Sequence, residues 1–125
     1  MAEGEMADTE QTAQPGPLTV VSTTTDGIRV VTVAGEIDHH TGQALGQALD
    51  VSGTPRPRIV VDLSQVTFLD SSGINLFIAA HHAVAEADGW IRLAAPTEAV
   101  MRTLRIVGVD AVIDCRESLR QALGN

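Results

Sequence analysis

Apolar residues along this chain fall into two kinds of short stretch. In one kind β-branched residues follow one another, and in the other apolar positions recur every three or four residues. The first kind predicts strands at residues 18–24, 28–34, 58–63 and 90–94. The second kind predicts helices at residues 41–50, from 71 to about 88, from about 97 to 107, and at 117–123.

The order of these elements predicts the fold class. Asp26-Gly27 is typical of a hairpin turn, so we expect the first two strands to be antiparallel. Strands that then alternate with helices predict an α/β fold with right-handed crossovers. We therefore predict a single domain that contains a mixed, mostly parallel sheet, an N-terminal β-hairpin and about four helices.

Several local details follow from the same pattern. Thr41 is the expected N-cap of the first helix. Gly108 occupies the position that follows a helix C-terminus, and residues 109–113 are expected to form a short strand or extended piece. The predicted inward positions of the helices are Ala44, Leu45, Ala48 and Leu49, then Ile74, Phe77, Ile78, His81, Val84 and Ala85, then Val100, Met101, Leu104 and Val107, and finally Leu119, Ala122 and Leu123.

Residues 1–17 differ from the rest of the chain. They contain four acidic residues and no basic one, and they end in Pro15-Gly16-Pro17. Such a composition cannot bury enough apolar surface to fold. We therefore predict an acidic disordered tail at residues 1–17, followed by one domain over residues 18–125.

Composition narrows the possible partners. The formal net charge of −8 argues against nucleic acid or an anionic membrane as the main partner, because both attract basic clusters. The single cysteine, Cys115, excludes an intrachain disulfide and suits a reducing cytosol. No apolar run reaches the roughly 18 residues that span a bilayer. We expect a cytoplasmic monomer.

Two polar segments stand where a strand gives way to a helix. Asp70-Ser71-Ser72-Gly73 follows an apolar stretch that predicts a buried strand, and Gly35-Glu36-Ile37-Asp38-His39-His40-Thr41 is expected to be a loop over residues 35–40 before the first helix. Helix N-termini stabilise anions, including a phosphate group. Because parallel strands end at the same edge of a sheet, we expect Asp38 to lie near Ser71. The buried-strand stretch comprises Ile59, Val60, Val61, Leu63, Val66, Phe68 and Leu69.

Taken together, these segments resemble the anti-sigma factor antagonist family, single-domain members of the STAS fold in bacterial partner-switching systems. The resemblance covers about residues 18–123 and leaves the acidic tail without a counterpart. Its matching segments are Gly35 to Thr41, Val60-Val61-Asp62-Leu63-Ser64 and Phe68 to Ile74, with weaker matches at Pro96, Val100, Arg102, Leu104 and Val107-Gly108-Val109.

The resemblance implies a function in transcription regulation, during stress response, sporulation or development. It implies that Ser71 is phosphorylated by an anti-sigma factor with Ser/Thr kinase activity, and that a Ser/Thr phosphatase removes the phosphate. The unphosphorylated form would bind the anti-sigma factor and release a sigma factor, and phosphorylation would end that binding. Ser72 is a weaker candidate acceptor. The implied partner-binding and switch surface comprises Asp38, His39, His40, Thr41, Asp70, Ser72, Gly73 and Ile74.

Other functions fit the residues less well. Asp-Ser-Ser-Gly differs from the Gly-x-Ser-x-Gly turn of serine hydrolases, so we expect no catalysis. Adjacent histidines on a helix point about 100° apart and Cys115 is distant, so we expect no metal site and no cofactor. His81 is expected to be a hydrogen-bonded histidine in the core or at its rim. A phosphorylation-independent STAS binding module within a larger regulatory or stress-sensing assembly remains an alternative.

Overall fold

The strands of this chain form one mixed sheet in the computed structural model, which describes residues 18–124. β1 and β2 are antiparallel, and every other neighbouring pair is parallel. This arrangement confirms the predicted hairpin and the mostly parallel sheet. The strands, in spatial order, are β1 (Leu18–Thr25), β2 (Ile28–Ile37), β3 (Arg58–Leu69), β4 (Trp90–Ala94) and β5 (Asp114–Arg116).

The hairpin turn and the helix starts follow from local sequence. Asp26 and Gly27 both have positive φ, 51° and 79°, as the tight turns that suit the twist of a hairpin require. The Thr97 and Ser118 side chains accept hydrogen bonds from the N–H groups of Val100 and Gln121 and so cap the last two helices. The four helices of the described chain are α1 (Gly42–Ala48), α2 (Ser71–Glu86), α3 (Glu98–Ile106) and α4 (Leu119–Leu123).

Helices cover the two faces of the sheet unequally. α1, α2 and α3 pack their buried residues on one face, in a cluster that also holds alternate residues of β2, β3 and β4. α4 packs on the opposite face, where Ala122 forms a small apolar cluster with Ile28, Val60 and Ala94. Because β3 is buried on both faces, it is apolar almost continuously from Ile59 to Leu63, as predicted.

β3 is twice as long as predicted and contains two bulges. Pairing with β2 shifts between Thr32 and Ala34 and again between Gly35 and Glu36. Each shift gives β3 one extra residue, so its buried positions near the end are Leu63, Val66 and Leu69. The prediction that Phe68 is part of the buried strand is therefore wrong, since its side chain is 48% exposed.

Other predicted details also need correction. β2 continues through Ile37, so residues 35–37 are strand and the loop begins at Asp38. Residues 109–113 form no strand: Gly108, with φ of 81°, leads into a 3-10 helix (Val109–Ala111), and the strand follows at β5. Val109 and Ile113 are both buried, and the Ile113 N–H donates a 2.8 Å hydrogen bond to the Val109 carbonyl. This four-residue separation is that of a helical turn and not of a strand.

Three of the predicted inward positions face solvent. α3 ends at Ile106, so Val107 lies beyond the buried stripe and is 52% exposed, and Ala44 and Ala85 are also exposed. The predicted acidic tail at residues 1–17 lies outside the described residues. Within residues 18–124, no helix combines the length and the apolar character that a membrane crossing requires.

Candidate functional site

The two polar segments meet at the carboxyl ends of β2 and β3. Ile37 pairs with Leu69, and the Asp70 N–H donates a 3.2 Å hydrogen bond to the Ile37 carbonyl. Asp38 and Asp70, which follow these strands, therefore lie on neighbouring chain segments. We call this surface, formed by residues 36–41 and 68–73, the rim.

Asp70 starts α2 and fixes the geometry of its first turn. Its backbone is extended, and its carboxylate accepts a 2.8 Å hydrogen bond from the Ser72 N–H. The first regular helical bond joins the Ile74 N–H to the Asp70 carbonyl at 3.1 Å. The N–H groups of Ser71 and Gly73, also in this first turn, have no acceptor within the helix. The N-terminus of α2 can therefore stabilise an added negative charge.

The two serines of the motif differ in accessibility. Ser71 is the first residue of α2 and is exposed, whereas Ser72 is half-buried. Within residues 18–124, the Ser71 hydroxyl makes no hydrogen bond. Ser71 is therefore the more accessible of the two residues.

Gly73 allows α2 to approach the sheet closely. A methyl group at this position would collide with the Leu69 side chain and would lie 2.6 Å from Cγ2 of Ile37. Gly73 is buried, and Ile74 belongs to the main core. Gly73 and Ile74, both predicted to be switch-surface residues, therefore support the rim from the core and expose no side chain on it.

Asp38 holds together the loop between β2 and α1, which the sequence predicts to lie near Ser71. Its Oδ1 accepts hydrogen bonds from the N–H groups of Thr41 at 3.0 Å and His40 at 2.9 Å. The hydrogen bond from the Thr41 N–H has the largest effect, and together with that from His40 it holds the pKa of the Asp38 carboxyl below its ordinary value, although desolvation opposes the shift. Asp38 is therefore a fixed negative charge at neutral pH.

Thr41 occupies the predicted N-cap position of α1 but makes no capping hydrogen bond to that helix. Its hydroxyl donates to the Glu36 carbonyl at 2.8 Å and accepts from the Asp38 N–H at 2.8 Å. The expected side-chain cap is therefore wrong, because the hydroxyl is engaged in closing the loop between β2 and α1.

The histidines give no sign of a metal centre. His39 and His40 are exposed, with ring centroids 5.5 Å apart in an edge-to-face arrangement. In the described part of the chain, no three His, Cys, Asp or Glu side chains are placed to hold a metal ion. His81 is half-buried, and among those same residues it makes no hydrogen bond, contrary to expectation.

Cys115 lies on β5 and is not poised as a nucleophile. Burial, with smaller effects of Asp110 and Asp114, raises the pKa of its thiol to about 11. Its Sγ is 3.5 Å from the Ile113 carbonyl, to which the thiol donates. The thiol is therefore protonated at neutral pH, and thiolate chemistry is disfavoured.

The predicted switch surface omitted two exposed residues of the rim, Glu36 and Phe68. The exposure of Phe68 depends on the second bulge of β3, which follows from pairing with β2 and leaves no mark in the local hydrophobic pattern. Glu36, the partner of Phe68 in the strand pairing, is exposed as well. The rim thus combines acidic side chains, an accessible serine and an aromatic ring.

Comparison with known proteins agrees with this architecture. The family model of the STAS domain matches residues 19–122. A crystal structure of an anti-sigma factor antagonist from Mycobacterium paratuberculosis superposes with a TM-score of 0.77 and 32% identity, covering 88% of this chain and 94% of that one.

Curated sequences point the same way. The anti-sigma-F factor antagonist RsfB of Mycobacterium tuberculosis is 28% identical over 110 residues, which cover 87% of this chain and 89% of that protein. The anti-sigma-B factor antagonist of Listeria monocytogenes is 28% identical over 94 residues, which cover 74% of this chain and 82% of the relative. The chain therefore belongs to the STAS domain family, among its anti-sigma factor antagonists.

Proposed function

We propose that this protein is a phosphorylation-controlled switch. In its unphosphorylated form it binds an anti-sigma factor with Ser/Thr kinase activity, and the sigma factor held by that protein is released. Transfer of phosphate to the Ser71 hydroxyl ends the binding, and a Ser/Thr phosphatase resets the protein. The carrying observation is the exposed Ser71 hydroxyl, which has no hydrogen bond within residues 18–124, at the start of a 16-residue helix.

The N-terminus of α2 supports Ser71 as a residue that can carry phosphate without unfolding the domain. A phosphate group adds about −1.5 to −2 charges at pH 7 and offers three acceptor oxygens. The unpaired N–H groups of the first helical turn and the positive end of the helix dipole both favour such a group. We therefore expect the fold to persist after phosphorylation.

Charge at the rim supports the loss of binding. Asp38 and Asp70 already make this surface anionic, and Glu36 adds a third carboxylate. A partner kinase holds nucleotide phosphates at its transfer site, so a phosphate on Ser71 would face like charges and lose solvent on binding. A coupling free energy of about 1–3 kcal/mol would weaken binding about 5- to 150-fold.

The test uses the full chain, purified anti-sigma factors of the source organism and Mg-ATP. Mass spectrometry maps any phosphate, and calorimetry measures the dissociation constant before and after the reaction. We expect phosphate on Ser71 and weaker binding by the phosphorylated chain. Phosphate found elsewhere, or equal binding by both forms, would contradict the proposal.

Two variants sharpen this test. Ser71→Ala should bind the anti-sigma factor as tightly as the unmodified chain and should not be released by ATP. Ser72→Ala is the matched control, because it removes the neighbouring hydroxyl and leaves the proposed acceptor. If Ser72→Ala is the variant that resists phosphorylation, the assignment of Ser71 is wrong. Stable binding without any phosphorylation would instead indicate a phosphorylation-independent module.

A further inference from the structure

Phe68 exposes an aromatic ring in a chain that has few of them. The chain contains two phenylalanines, one tryptophan and no tyrosine. Phe77 is fully buried, and Trp90 is half-buried with the Arg92 guanidinium 4.0 Å from its ring centroid. Phe68, by contrast, is 48% exposed at the rim. Packing within the domain does not account for an aromatic side chain at this position.

The backbone holds Phe68 in this orientation. Gly35 pairs with Val66 and Glu36 with Phe68, so Thr67 is the extra residue of a bulge. The Thr67 hydroxyl donates a 3.3 Å hydrogen bond to the Gly35 carbonyl. With Val66 and Leu69 both buried, Phe68 is left on the solvent side. Bulges are frequent next to functional sites, where they redirect a side chain.

We propose that Phe68 is the aromatic anchor of the interface with the anti-sigma factor. It would insert into an apolar pocket of that protein, next to the residues that receive the Ser71 hydroxyl. This inference rests on the proposed function and deepens it, because it names the side chain that supplies affinity. Aromatic residues that become fully desolvated in the centre of an interface commonly dominate binding.

The position of Phe68 places it within any interface centred on Ser71. Ser71 is the third residue after Phe68, so their Cα atoms are at most about 11 Å apart. A standard protein interface covers about 800 Å² on each partner, equivalent to a disc of about 16 Å radius. An interface of that size centred on Ser71 therefore extends beyond the position of Phe68.

The charge of the rim indicates that the partner bound around Phe68 is a different protein and not a second copy of this chain. Glu36 pairs with Phe68 in the sheet, and Asp38 and Asp70 follow at the same rim. Two copies joined through this surface would bring these carboxylates against one another in a chain of net charge −8. The fitting partner offers an apolar pocket bordered by neutral hydrogen-bond donors.

Other exposed apolar residues serve as controls because they lie elsewhere. Ile106 ends α3 and is 77% exposed, and Val21 on β1 is 46% exposed. Ile106 is more exposed than Phe68 and outside the rim. Truncation of Ile106 therefore removes apolar surface without touching the proposed interface.

The test measures binding of full-length Phe68→Ala, Phe68→Leu and Ile106→Ala to the purified anti-sigma factor that the unmodified chain binds most tightly. We expect Phe68→Ala to raise the dissociation constant about 30-fold or more, Phe68→Leu to recover part of the loss, and Ile106→Ala to change it less than about twofold. Phosphorylation of Phe68→Ala should show a raised KM and a nearly unchanged kcat. Thermal unfolding of each variant shows whether the domain remains folded.

The outcomes separate this inference from the proposed function. If the unmodified chain binds and Ser71 phosphorylation releases it, but Phe68→Ala binds as tightly, Phe68 is not an anchor and the switch stands. If the unmodified chain binds no anti-sigma factor, the proposed function fails first. An equal loss in Phe68→Ala and Ile106→Ala would also overturn the inference, because it would reflect general apolar contact.

Discussion

Asp70 has two roles that a single substitution can separate. Its carboxylate accepts a 2.8 Å hydrogen bond from the Ser72 N–H, which caps α2, and it also contributes negative charge at the rim. Capping needs an acceptor oxygen, whereas electrostatic repulsion of a phosphate needs the charge. Asparagine retains the first property and lacks the second.

Asp70→Ala should lower the free energy of unfolding by about 1 kcal/mol, because the helix loses its cap. Asp70→Asn should remain within a few tenths of a kcal/mol of the unmodified chain. Urea unfolding measures both. Asp70→Asn should also reduce the loss of affinity that phosphorylation causes. If the two variants are equally destabilised, the charge and not the hydrogen bond holds the helix start.

The sequence predicts Asp38 near Ser71 because parallel strands end at one edge of a sheet, and the pairing of Ile37 with Leu69 brings the two following loops to the same edge. It could not predict the exposure of Phe68, since the bulge at Thr67 exists only in the pairing with Gly35 and Glu36. The hydrogen bonds of Thr41 were missed for a related reason. Its hydroxyl can form hydrogen bonds either with the first turn of α1 or with the preceding loop. The path of β2 brings the loop backbone within reach, so the hydroxyl bonds to the loop.

At the scale of elements, the close contact between α2 and the ends of β2 and β3 positions the rim. Gly73 makes this contact possible, because any side chain there would meet Leu69 and Ile37. Both neighbours are buried and β-sheet residues, so they have little room to move. The glycine of the motif thus has a packing requirement that is independent of any phosphate chemistry.

Gly73→Ala should lower the free energy of unfolding by about 1–3 kcal/mol, because the added methyl group overpacks this contact. Gly46→Ala is the matched control, since Gly46 lies in α1 and its added carbon would be 3.3 Å from the flexible end of Leu76. We expect the control to change stability by less than about 1 kcal/mol, because a helical alanine offsets the tighter contact. Equal stability of both variants would show that α2 can shift at no cost.

An apolar stretch bounded by turn residues could be predicted from sequence, whereas the segment after Gly108 could not. β4 has the predicted bounds because its β-branched and apolar residues end at turns. The segment after Gly108 contains Val109, Val112 and Ile113, which suit either a strand or a helical turn. Burial of Val109 and Ile113 against the main core selects the helical spacing, and that core is known only after folding.

At the scale of the whole molecule, local hydrogen bonds lower the pKa of three carboxyl groups in the folded state. The Thr41 N–H lowers the pKa of Asp38, the Ser52 hydroxyl lowers that of Asp50, and the Arg116 guanidinium lowers that of Asp114. The Arg116 contact with Asp114 is 2.7 Å long. Each group therefore binds its proton more weakly in the folded chain than in the unfolded chain.

These shifts determine how stability depends on pH. A lowered folded-state pKa means that the unfolded chain binds more protons near the ordinary aspartate pKa of about 3.9. Stability contributed by such a group is fully present above that value and is lost as pH falls through the lower folded value. We therefore expect little change between pH 7 and 5 from these three groups and a decline below about pH 4.

The double variant Asp50→Asn with Asp114→Asn tests this linkage by urea unfolding between pH 7 and 3. It should be less stable than the unmodified chain at pH 7, because it lacks the charged acceptors of Ser52 and Arg116. The difference in free energy of unfolding between the double variant and the unmodified chain should narrow as pH falls, since protonation removes the same interactions from the unmodified chain. Asn75→Ala, an exposed uncharged change on α2, should leave a gap that does not vary with pH. A double-variant gap that stays constant to pH 3 would show that these carboxylates do not couple folding to protonation.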